Sequence, residues 1–117
     1  MVRRITVEQG RAALDAWRAA PDEASRAVML TAVRFTLEEF ADRFPGRSVE
    51  VRVPPAGAVQ ILEGATHRRG TPPAVVEMDM QTWLRLVLGQ WSWDEVVAQG
   101  RVQASGERAD LTDCFQE

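Results

Sequence analysis

At Pro45-Gly46 the chain changes its hydrophobic period, and this change limits the possible folds more than any other feature of the sequence. Before it, Leu30, Val33, Leu37, Phe40, Ala41 and Phe44 recur at steps of three and four, which predicts a helix over about Asp22 to Phe44. A shorter helix from about Val7 to Ala20 precedes it. Thr6 and Gln9 open that helix as a capping box, Leu14 and Trp17 share one of its faces, and Pro21 stops it. After Pro45-Gly46, "SVEVRV" sets Val49, Val51 and Val53 on one side and Glu50 and Arg52 on the other, the pattern of a half-buried strand.

"PPAG" at 54–57 then makes a turn, and "AVQIL" and "AVVEMD" read as two more strands. Three strands in succession predict an antiparallel meander over 48–78. Between the last two lies "EGATHRRGTPP", which reads as a long loop or as a loop holding a short degraded strand. Asp79 caps a helix in which Trp83, Leu84, Val87 and Leu88 share a face, and Ser92 with Glu95 opens another that carries Val96 and Val97. Gly89 and Gly100 stand where left-handed C-caps belong. "RVQAS" is a further strand, and after Gly106 a final helix presents Leu111, Cys114 and Phe115.

Strands with one polar side bury only the other, and the helical stripes need an apolar partner. The strands near 48–53, 58–62, 74–78 and 101–105 are therefore expected in one sheet, with helices over the face made by Val49, Val51, Val53, Val59, Ile61, Val76 and Met78. With 117 residues, 45% apolar and 26% charged, the chain fits one ordinary domain, with no internal repeat or linker. A domain of this size buries roughly 65% of its unfolded surface, so a ligand cavity would share its lining with the core.

The formal charge is -3 and all 14 basic residues are arginines scattered along the chain, which argues against nucleic-acid binding. A single cysteine forbids an internal disulfide. The N-terminus "MVRRITVEQG" has no apolar run of the kind a signal peptide or membrane span needs, so the expected compartment is the cytoplasm.

Catalytic constellations are sparse. Nucleophilic chemistry needs an activating base, and the lone histidine, His67, lies in a Gly-, Arg- and Pro-rich loop, far along the chain from Cys114, which falls on an apolar helical stripe. With one His and one Cys a metal would need carboxylates, and the acids sit mostly at caps or on polar faces. No catalytic residue and no metal site is expected. "EGATHRRG" gathers His67, Arg68 and Arg69 and is the candidate for contacting an anion, against the alternative of a solvated loop. Trp83 reads as a core anchor. Trp91 and Trp93 flank an N-cap and do not both point inward easily, so one of them is expected to be partly exposed, at a pocket edge or over a helix junction.

The run from Asp79 through Thr82-Trp83-Leu84 to Gly89, then ten residues to Gly100 and five to Gly106, resembles the C-terminal half of the sterol carrier protein type-2 domain. The motif spans about residues 79–111. The order of elements agrees with that family, and the chain is also similar to short stand-alone bacterial members of it.

The resemblance implies an α+β fold whose single mixed β-sheet of four to five strands is covered on one face by helices. Residues 1–117 would form one sterol-carrier-like domain: N-terminal helices at 6–44, the meander at 48–78, two short helices at 79–100, and a last strand and C-terminal helix at 101–117. It further implies a carrier, without cofactor or catalysis, for a fatty acyl chain, sterol or similar lipid. That ligand would lie between the sheet and the helices at 80–88, 93–99 and 107–115. The lining expected there is Val51, Val59, Ile61, Val76, Met78, Trp83, Leu84, Val87, Leu88, Trp93, Val96, Leu111 and Phe115. Two alternatives stand beside it: an accessory domain in thiol-dependent isomerase chemistry, and a structural interaction domain with a filled core.

Overall fold

The computed structural model describes residues 4–64, 74–106 and 110–115. The first helix, α1 (Val7–Ala19), opens with the expected capping box: the Gln9 amide donates to Thr6 Oγ1 at 3.1 Å, and the Thr6 amide donates to Gln9 Oε1 at 3.3 Å. The second, α2 (Arg26–Arg43), begins four residues later than Asp22. Ser25 is the reason, because its hydroxyl accepts the Val28 amide at 3.1 Å and so fixes the first turn.

Four strands follow, β1 (Val49–Val53), β2 (Gly57–Ile61), β3 (Ala74–Met78) and β4 (Val102–Ser105), in one mixed sheet of order β2-β1-β3-β4. Between β3 and β4 come α3 (Met80–Val87), capped by Asp79, and α4 (Trp93–Ala98), capped by Ser92. Gly89 and Gly100 close these two helices with φ of 75° and 70°, the left-handed geometry expected of them.

The strands do not form a meander. β1 pairs antiparallel with β2 (Val51 opposite Val59) and parallel with β3 (Val51 opposite Val76), while β3 pairs antiparallel with β4 (Val76 opposite Ala104). This order puts the two strands with the most buried side chains, β1 and β3, at the centre, and leaves β2 and β4, which carry exposed Ala58, Gln60, Gln103 and Ala104, at the edges. Burial thus overrides the tendency of successive strands to pair. The inward face is the expected one: Val49, Val51, Val53, Ile61, Val76 and Met78 are buried and Val59 is half-buried. On the other face Arg52 lies 3.4 Å from Glu50 and 3.6 Å from Glu77, an exposed polar ladder.

The expected C-terminal helix is absent from residues 110–115, which form a 3-10 turn at Thr112–Cys114. The Asp110 carboxylate accepts the Thr112 amide at 2.9 Å, a local bond that competes with helical pairing. Leu111 and Cys114 are nevertheless buried in the core.

Candidate functional site

The expected lining residues fall mostly into the packed interior. Val51, Ile61, Val76, Met78, Trp83, Leu84, Trp93, Val96 and Leu111 are buried in one cluster, and Val87, Leu88 and Phe115 pack against it half-buried. Trp83, with no exposed surface, donates its indole N–H to Thr36 Oγ1 at 2.8 Å. Phe40 meets Trp83 edge-on at 5.1 Å and stacks on Phe115 at 5.1 Å, and Trp93 lies almost parallel to Phe115 at 6.0 Å. These rings pack on one another, geometries that favour aromatic pairs. A polar exception is Thr82, whose amide is held by Asp79 but whose buried hydroxyl has no partner among the described residues.

The question of the two remaining tryptophans is answered by burial. Trp93 is in the core, and Trp91 is half-buried over the junction of α3 and α4, with the Arg85 and Arg101 guanidiniums 5.1 and 4.6 Å from its ring centre. Arg85 also lies 5.5 Å from the Trp17 ring, so these residues tie α1 to the junction by cation–π contacts. His67, Arg68 and Arg69, the expected anion contacts, lie outside the described residues.

An open cleft of about 650 Å³ lies elsewhere, between α2 and the edge strand β2. Its lining comes from one face of α2 (Thr31, Arg34, Leu37, Glu38, Ala41, Asp42), from Arg4 and Ile5 ahead of α1, and from Ala56 to Val59. Val59 is the member of the expected set found there. Local sequence explains the space: Ala56, Gly57 and Ala58 stand across from α2 with almost no side chain, so the helix approaches the strand without filling the gap.

The ends of the cleft differ in charge. At one end Arg34 Nε donates to the Ala56 carbonyl at 2.9 Å, fixing the guanidinium against the turn after β1, and no carboxylate of the described residues pairs with it. At the other end Arg4 bonds Asp42 at 2.6 Å and Glu38 at 2.7 Å, and the Ile5 amide donates to Glu38 at 3.3 Å. The hydrogen bonds that the Arg4 guanidinium donates to Asp42 and Glu38 raise its pKa above the ordinary value. Sequence reasoning missed this face because α2 was read by its core stripe alone. The available signal was a second stripe beside it, Thr31, Arg34, Glu38 and Asp42, at the same three- and four-residue steps.

Among the described residues no three His, Cys, Asp or Glu side chains gather where they could hold a metal ion, and no helix is long and apolar enough to cross a membrane. Burial, with the Asp113 charge adding to it, pushes the Cys114 thiol up, away from the reactive thiolate.

No curated protein matches the chain. A family model described as "Bacterial SCP ortholog" matches residues 25–116, which take in α2, all four strands and the last turn and leave out α1, Arg4 and Ile5. Together with the single mixed four-stranded sheet and its helical cover, the match places the chain in a sterol carrier protein-like family, the bacterial SCP orthologs, to which it belongs.

Proposed function

We propose that this domain binds and carries an apolar or amphipathic small molecule, a fatty acyl chain or a similar lipid, in the cleft between α2 and β2, without transforming it. The observation that carries this reading is the cleft itself. Its volume of about 650 Å³ is within the span of small-molecule sites, roughly 300–1,000 Å³, and Ile5, Leu37, Ala41, Ala56 and Val59 give it an apolar floor under a polar rim. Family membership supports a carrier role. The cytoplasm is the proposed place of action.

A carrier that takes up its ligand only when folded is stabilised by it, by roughly 2.7 kcal/mol at a hundredfold excess over Kd. Fatty acids, acyl-CoAs and sterols should be titrated while thermal unfolding is followed, with Ala41→Trp as the variant that fills the cleft. The expected result is a raised midpoint in the wild type and none in Ala41→Trp. No shift with any of these ligands in the wild type would overturn the proposal. It would favour the second reading, an interaction domain, which the ring-on-ring packing of Phe40, Trp83, Trp93 and Phe115 supports.

A further inference from the structure

The two ends of the cleft are not equivalent, and their chemistry selects a class of ligand. Along α2, Glu38 stands one turn and Asp42 two turns beyond Arg34, about 6 and 12 Å along the axis. The Asp42 end is occupied: Arg4 lies across it on two carboxylates and leaves that end with a net negative charge. The Arg34 end carries the opposite sign. Its Nε is committed to the Ala56 carbonyl, which holds the guanidinium plane in place, while the ion pairs among the described residues leave its charge uncompensated. Between the ends run Leu37, Ala41 and Val59, which offer no polar group to a ligand.

From this polarity we infer that the cleft is specific for an amphiphile with an anionic head, a carboxylate or phosphate, whose head pairs with Arg34 and whose medium-length apolar tail lies along Leu37 and Ala41 toward the Arg4 end. The inference rests on the proposed use of the cleft and adds the polarity of its ligand. A fixed guanidinium suits such a head because its remaining N–H groups form a planar fork matched to two oxygens, and little side-chain freedom is left to lose on binding. The net negative charge of the cluster that Arg4 forms with Glu38 and Asp42 repels the head from that side, so the ligand has one orientation. A neutral alcohol of the same tail leaves Arg34 partly desolvated and unpaired, and is rejected for that reason.

The test compares octanoate, octyl phosphate and 1-octanol, each below its aggregation limit, by titration calorimetry against the wild type, Arg34→Gln and Arg34→Lys. The wild type should bind the two anions about ten- to a hundredfold more tightly than the alcohol, the worth of a charge-assisted hydrogen bond. Arg34→Gln should lose that preference, binding the anions more weakly and the alcohol no more weakly than the wild type does, and Arg34→Lys should keep part of it. The ratio of octanoate to octyl phosphate affinity tells which head is the better fit. Because Arg34 is exposed, both variants should fold, and the wild-type comparison needs no variant at all. Equal affinity for acid and alcohol in the wild type, or a preference that survives in Arg34→Gln, overturns the inference and leaves the carrier function standing. Binding of none of the three overturns the use of the cleft itself.

Discussion

Trp83 shows how one side chain can secure several elements. It belongs to α3, its indole N–H reaches Thr36 in the middle of α2, and its ring meets Phe40 one turn further on. Thr36 would otherwise be a liability there; its hydroxyl donates back to Ala32 and Val33 and accepts from the indole. Trp83→Ala should therefore cost roughly 3–5 kcal/mol of stability, read by denaturant unfolding. Thr36→Val should cost about 1–3 kcal/mol because it strands a buried donor, and adding Trp83→Phe should cost less than the sum, since no N–H then remains to satisfy. Strict additivity would show that the hydrogen bond contributes nothing. Gly10 gives a sharper test of sign. In a free helix alanine is better than glycine by roughly 0.5–1 kcal/mol. Here a Cβ at position 10 would stand 2.1 Å from the Phe35 ring, so overpacking of about 1–3 kcal/mol wins and Gly10→Ala should destabilise. Phe35→Leu in the same chain should recover part of the loss. A more stable Gly10→Ala would mean that α1 and α2 separate without penalty.

At the scale of elements, what was legible was local. Thr6, Asp79 and Ser92 cap their helices as read because a cap is decided within four residues, and β1 shows its period because its neighbours on one face are all buried. Strand order was not legible, since β3 chooses β1 over β2 by comparing buried faces that lie far apart in the chain. The last turn was misread because Leu111, Cys114 and Phe115 supply apolar spacing that a 3-10 turn satisfies as well as a helix. Asp110 holds that turn, and hydrogen bonds from the Thr112 side chain and amide pull its carboxyl below the ordinary 3.8. A lowered folded-state value means that the ionised form contributes stability above the ordinary value, and that this contribution fades as pH falls through the folded-state one. Asp110→Ala should accordingly be less stable than the wild type at neutral pH, with the gap closing below about pH 4. A gap that stays constant down to strongly acid pH would show that the turn does not depend on the charge.

Taken whole, the molecule separates its core from its proposed site more than a chain of this size was expected to. The interior where α2, α3, α4 and the last turn meet is packed with aromatic rings, and the open cleft lies at an edge strand where small residues face a helix. A void depends on what stands opposite, and "PPAGAV" carries no mark of the helix it will face; of the expected lining, Val59 is the residue that borders the cleft. The parallel pairing of β1 with β3 has a further, kinetic consequence. Val49 and Ile61, 12 positions apart, can meet early, whereas Val49 and Ala74 are 25 apart and close a larger loop before any contact rewards it. The β1–β2 hairpin with α2 is then the natural nucleus, and β3 docks late although it ends at the centre of the sheet. Val51→Ala should chiefly slow refolding and Val76→Ala chiefly speed unfolding, a split that stopped-flow rates against denaturant would resolve. If both act on the same limb, the sheet assembles in one step, and its central strand pair is part of the rate-limiting event rather than its aftermath.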